Sequence, residues 1–114
     1  MHNQKELLKG TLTAIILKLI DENGKMYGYE ISQKVKGLSD GKIMLKDGSL
    51  YPALQKLTHE GLLSVEEVKM GKRVRKYYYL TPQGKSLKDA YFAELKEFIE
   101  TMSKLFAPQL STQP

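Results

Sequence analysis

The 114-residue chain has no cysteine, no tryptophan and only two histidines. Without thiols it can form neither disulfides nor thiolate-held metal centres. His2 and His59 are far apart in sequence and lack ligand spacing of the HxxxH kind, so no metal site is expected. No apolar run approaches the ~20 residues that a membrane helix needs. The start, MHNQKELLKG, is polar and has no apolar signal core, so the expected compartment is the cytoplasm. Catalytic groupings are also missing. Ser49 and His59 stand roughly three helical turns apart, without an acidic orienter or a glycine-rich cradle, so neither an enzyme nor a cofactor is expected. Acidic residues are in the minority, 13 against 18 lysines and arginines, giving a formal charge of +5 and a pI near 9.3. That balance weakly favours a polyanionic partner, and clustering tells more than the total.

The apolar residues amount to 41% of the chain, enough for one domain with one modest core. Leu8, Leu12, Ile15, Ile16, Leu19 and Ile20 recur at helical spacing between Lys5 and Asp21, and the turn Asp21-Glu22-Asn23-Gly24 closes that first helix. A second helix is predicted from about Tyr27 to Lys36, with Ile31, Val35 and Leu38 inward and Gly37 as its C-cap. KIMLK (Lys42 to Lys46) alternates and predicts a very short strand. A third helix is predicted to start near Ser49 as its cap, with Pro52 in the first turn. It puts Leu50, Leu54 and Leu57 on the core and Tyr51, Gln55, Lys56 and His59 on the opposite side. Thr81 and Pro82 open a long last helix along which Leu87, Tyr91, Leu95, Phe98, Met102 and Leu105 follow a heptad-like seam, edged by Phe92, Ile99 and Phe106. Pro108 is predicted to end it.

Between the third and last helices, LLSVEEVK and VRKYYYLT read as two strands joined by MGKR, with Tyr78 and Leu80 inward. Lys69, Lys72, Arg73, Arg75 and Lys76 gather there with no acidic residue among them. A polar-faced helix beside a cationic hairpin is the arrangement of a winged helix-turn-helix on duplex DNA, where the helix reads base edges and the wing meets phosphates. Plainer readings stand beside it. The charges also keep an edge strand from aggregating. Tyr77, Tyr78 and Tyr79 fit base stacking or simply a strand of high β-propensity. Tyr51 fits a phosphate donor or packing at the helix entrance.

Taken in order, LLKGTLTAIIL, MYGYEI, GSLYPALQKLTHEGLL, GKRVRKYYYLTPQGK and the last helix resemble the PadR-like transcriptional regulators, in the short form with a single C-terminal helix. The resemblance runs from Leu7 to about Phe106 and is most specific in GSLYPAL and RKYYYLT. It implies a mostly helical α+β winged helix-turn-helix that is dimeric through its first and last helices, binds an inverted-repeat operator as a repressor and answers to a small aromatic effector. By motif, Tyr51 and its neighbours, with Lys72, Arg73 and Arg75, would contact DNA. The chain departs from the family pattern at Val74, which interrupts the usual arginine run, and at Tyr79, where the family often has a basic residue. Members that bind planar drugs use a tryptophan on the last helix. Tyr91 and Phe92 are the nearest substitutes here and make the candidate effector pocket.

The combined expectation is a DNA-binding domain over 1–81, a dimerisation helix over 82–107 in the same compact unit, and a disordered tail over 108–114. The DNA-binding set is Ser49, Tyr51, Pro52, Gln55, Lys56, His59, Lys72, Arg73, Arg75 and Lys76. The dimer interface is Leu8, Leu12, Leu87, Tyr91, Leu95, Phe98, Met102 and Leu105. The alternative is a winged-helix module whose basic wing docks an acidic protein partner.

Overall fold

In the computed structural model, residues 11–110 are described, with side chains as far as residue 107. Four helices and three strands follow one another over those residues: α1 (Leu12–Asn23), β1 (Met26–Tyr27), α2 (Gly28–Leu38), α3 (Asp47–His59), β2 (Leu63–Met70), β3 (Arg73–Leu80) and α4 (Pro82–Leu110). The sheet is antiparallel in the order β1-β3-β2. This is the mostly helical α+β winged helix-turn-helix expected from the sequence.

One core joins all the elements. Ile16, Leu17 and Ile20 of α1, Ile31 and Val35 of α2, and Leu50, Leu54 and Leu57 of α3 meet Met26, Leu63, Tyr78 and Leu80 of the sheet. Successive residues of a strand point to opposite faces, so the burial of Tyr78 and Leu80 puts Lys76 and Val74 on the same inner side of β3. Arg75, Tyr77 and Tyr79 fall on the outer side. Along α1 the buried stripe is broader than the periodicity implied, because Ala14 and Leu17 join it while Leu12 and Ile15 are half-buried against it. Leu8 and the predicted helix start at Lys5 lie outside the described residues.

The third strand is not where alternation put it. Lys42–Lys46 has no ladder partner, and Met26–Tyr27 takes the free edge of β3 instead, opposite Tyr78 and Tyr77. The alternation in KIMLK is still structural. Ile43 and Leu45 turn inward onto the core, and the Ile43 amide donates to the Ser39 hydroxyl at 3.0 Å, which folds the segment back as a cover. Gly37 does not cap α2. The helix continues to Leu38, and the chain reverses at Asp40 and Gly41, whose amide donates to the Lys36 carbonyl at 2.8 Å.

Further corrections concern proline and the helix ends. α3 starts at Asp47 rather than Ser49, because the Ser49 and Leu50 amides already donate to the Lys46 carbonyl. Ser49 is therefore not the cap. Pro52 lies in the second turn, where it has no N–H to donate to the Gly48 carbonyl four residues back. α4 runs to Leu110, past the predicted stop at Pro108. A proline forfeits one bond to the carbonyl four residues back and does not by itself end the helix. Of the tail expected to be disordered, 108–110 is helical backbone and 111–114 lies outside the described residues. At the other end of α4 the expected cap is in place. The Gly84 amide donates to the Thr81 hydroxyl at 3.0 Å, with Pro82 as the first helical residue.

Candidate nucleic-acid interface

The hairpin turns in two residues, Gly71 and Lys72, between the paired Met70 and Arg73. Gly71 has φ +67°, a left-handed value that a tight two-residue turn needs at its first position and that only glycine takes without strain. Because the turn is so short, Arg73 is held in register on the strand while Lys72 occupies the tip. Both are exposed. Farther down, the charges are mixed: Lys76 stands opposite Glu67, and Tyr77 opposite Glu66. Positive charge is thus concentrated at the tip, where Lys69, Lys72 and Arg73 have no acidic partner within 4.0 Å among the described residues.

α3 sends Leu50, Leu54 and Leu57 into the core and leaves Gln55, Lys56 and His59 exposed. Between that helix and the sheet runs an open groove of about 320 Å³, lined by Gln55, Thr58 and His59 of α3 and by Val65, Lys76 and Tyr78 of the hairpin. The polar side of α3 and the inner side of the wing therefore share one surface. Thr58 is held in place by donating to the Leu54 carbonyl at 2.8 Å. Burial, with Tyr51 nearby, pushes the Tyr78 phenol up from its ordinary value, so this groove-lining hydroxyl keeps its proton.

Two residues of the expected set are otherwise engaged. Tyr51, 39% exposed, lies on Gly28 at the start of α2: a methyl group at Gly28 would come within 2.7 Å of its ring carbons. A side chain at Gly28 would have to displace the Tyr51 ring. Arg75 is on the outer side of the hairpin, its guanidinium 4.0 Å from the centroid of the Tyr27 ring and donating to the Tyr77 hydroxyl at 3.4 Å. The bond to Tyr77 first, then the nearby phenols and Glu30, stabilise its charged form. Ser49 is half-buried in the first turn of α3, and Pro52 is exposed one turn on.

Lys42 and Lys46 were missed from the sequence. Both are exposed, and Lys46 occupies the N-cap of α3 without a side-chain capping bond. A cation at a helix N-terminus opposes the helix dipole, so helix stability does not account for it. The lysines at the two ends of KIMLK are the available signal, but alternation assigns them to the ends of a strand.

The long last helix divides in two. Its first turns pack on α1, with Tyr91 and Phe92 half-buried against the core and Lys88 3.7 Å from Asp21. The candidate effector residues are thus packing residues in this chain. Beyond them Phe98 (56% exposed), Ile99, Leu105 (63% exposed) and Phe106 lie open to solvent, while Leu95 and Met102 are half-covered. No helix among the described residues is long and apolar enough to cross a membrane, and none of those residues cluster as metal ligands.

Comparison with known proteins agrees with this architecture. The chain is 36% identical over 100 residues to an uncharacterized protein of Lysinibacillus sphaericus, covering 85% of this chain and 86% of that one. Its fold is similar to that of a transcriptional regulator from Clostridium thermocellum, with a TM-score of 0.75, 29% identity, and coverage of 93% of this chain and 99% of that one. It is also similar to a PadR family transcriptional regulator from Eggerthella lenta, with a TM-score of 0.72, 31% identity, and coverage of 95% and 88%. The family model of the transcriptional regulator PadR-like family matches residues 16–90. The chain belongs to that family and is a DNA-binding transcriptional regulator.

Proposed function

We propose that the protein is a homodimeric repressor that binds an inverted-repeat operator through α3 and the wing. The supporting observation is the groove in which Gln55 and His59 of the helix and Lys76 of the hairpin face one another. In this reading α3 enters the major groove. Gln55 pairs with the N6/N7 edge of adenine and Lys56 with the O6/N7 edge of guanine, while His59, Lys72, Arg73 and Lys76 meet backbone phosphates. Lys42 and Lys46 extend the phosphate contacts at the amino end of α3. Residues 1–81 form the DNA-binding part, and 82–107 form the dimerisation helix.

The dimer is supported by the open half of α4. Its apolar positions continue a heptad-like seam past the point where α1 covers it, and burying exposed aromatic and aliphatic side chains against a second copy contributes ~25 cal/mol per Å². Two-fold symmetry would then set the two reading helices ~34 Å apart, one turn of DNA.

The test is fluorescence anisotropy of a duplex selected by the protein from a randomised library, alongside a shuffled duplex of the same composition. Gln55→Ala should remove ~1–3 kcal/mol of discrimination while leaving affinity for the shuffled duplex nearly intact. Equal loss on both duplexes would make Gln55 a structural residue. A wild-type protein with no preference for any duplex, and binding instead to an acidic protein, would overturn the operator reading.

A further inference from the structure

The groove between α3 and the wing is open, and among the described residues Gln55, His59 and Lys76 make no hydrogen bond to one another across it. A second connection between wing and helix runs over the outer face of the sheet. Arg75 lies flat over Tyr27 at 4.0 Å and donates to Tyr77. The Tyr27 and Tyr77 rings meet edge to face at 5.4 Å, with Tyr29 stacked beside Tyr27 at 6.5 Å. Lys25, just before β1, reaches across β3 to β2, 5.2 Å above the Tyr77 ring and 2.9 Å from the Glu66 carboxylate. Tyr27 is also the N-cap of α2, where its amide donates to the Glu30 carboxylate at 3.1 Å. The next residue is Gly28, on which Tyr51 of α3 rests.

The connection is contiguous: Arg75 of the wing, Tyr27, Gly28, Tyr51 of the reading helix. We infer that Arg75, Tyr27 and Tyr51 are positioning residues, a strap that sets the spacing of the wing from α3 so that both meet one DNA half-site. This rests on the operator reading above and gives Arg75 and Tyr51, which the sequence pattern put in contact with DNA, a positioning role instead. Arg75 could turn toward a phosphate only by giving up its stacking on Tyr27 and its bond to Tyr77. A planar guanidinium suits that site, and an ammonium does not replace it, because lysine neither stacks nor forks.

The test uses the full chain with the selected and shuffled duplexes over a range of salt. Arg75→Lys keeps the charge, and Tyr27→Leu removes the platform without touching a cation. Each should lower the preference for the selected duplex about tenfold, with the slope of log affinity against log salt unchanged. Tyr27→Phe keeps the ring and should keep the preference. The double variant Tyr27→Leu/Arg75→Lys should be no worse than the weaker single, as expected of two parts of one contact. Full preference in Arg75→Lys, with Arg75→Ala lowering the salt slope by ~1, would make Arg75 a phosphate contact and overturn the strap.

Amide hydrogen exchange on the free variants separates this proposal from the operator reading, since it requires no DNA. Faster exchange appearing together in β3 and the first turns of α3 supports the strap even if no duplex is preferred. A change confined to β1 overturns it. Circular dichroism checks that each variant folds, and Arg75→Lys, at a half-buried surface site, keeps the test available if Tyr27→Leu does not.

Discussion

α3 and α4 carry apolar residues at the same steps of three and four, yet the chain treats them differently. In α3, Leu50, Leu54 and Leu57 are all buried, and apart from Tyr51 and Pro52 in the first two turns the exposed side chains are polar or charged. In α4 the same spacing is covered at Tyr91 and Phe92, where the helix packs on the core, while Leu87 before them is exposed and Phe98, Ile99, Leu105 and Phe106 beyond them are left open. Helical periodicity states that a face needs covering and says nothing about which chain covers it. α3 is completed within its own chain, and its outer face is free to read DNA. α4 is ~43 Å long, in a molecule 58 Å in its longest dimension, so its far half projects beyond the body that could cover it.

The largest expected effect comes from breaking each helix on its apolar side. If the proposed dimer forms through α4, Phe98→Glu with Leu105→Glu should give a folded monomer by sedimentation and reduce affinity for an inverted-repeat duplex on the order of 10²–10⁴-fold, because the second half-site no longer binds within the same complex. Leu54→Ala should behave in the opposite way. It should destabilise the fold by ~2–5 kcal/mol in chemical unfolding, with the association constant per folded chain little changed. If Phe98→Glu/Leu105→Glu unfolded the chain while it remained monomeric, the seam would be part of the core and the contrast would fail.

A smaller effect separates the cationic tip from the rest of the hairpin. Lys72→Ala with Arg73→Ala should weaken binding to every duplex alike and lower the salt slope by ~2, one for each lost phosphate contact. An unchanged slope would return these residues to the role of guarding a strand against aggregation. The smallest effect lies at the floor of the groove. Burial raises the Tyr78 phenol above its ordinary 10.0, so the folded state favours the protonated form. The associated stability is complete below pH 10.0 and is lost as pH climbs through the raised folded value. Tyr78→Phe should remove that part of the alkaline loss in unfolding measured on both sides of pH 10.0.

Much of this architecture was legible because local rules and tertiary packing agreed. Alternation put Tyr78 and Leu80 inside, the Thr81-Pro82 pair marked the start of α4, and the spacing of Leu50, Leu54 and Leu57 identified the inner side of α3. The misses occurred where packing chose among local options. A two-residue strand such as Met26–Tyr27 has no periodicity to detect, and KIMLK alternates because it covers the core, whether or not it pairs. The candidate site divided along the same line. Polar-face and charge patterns place Gln55, Lys56, His59, Lys72, Arg73 and Lys76 on the surface, and all six are exposed. That Arg75 would lie over Tyr27, and Tyr51 on Gly28, depends on register between segments about 48 and 23 positions apart, which no single window of sequence contains.

Because the chain has no native cysteine, one experiment addresses the shared surface directly. Gln55→Cys and Lys72→Cys, each labelled with a tethered DNA-cleaving reagent, report where α3 and the wing tip lie on a bound duplex. The account expects both reagents to cut the same half-site within about one helical turn of each other, and each pattern to recur once about the operator's two-fold axis. Cutting from only one of the two positions, or cuts from the two falling on unrelated stretches of DNA, would contradict it.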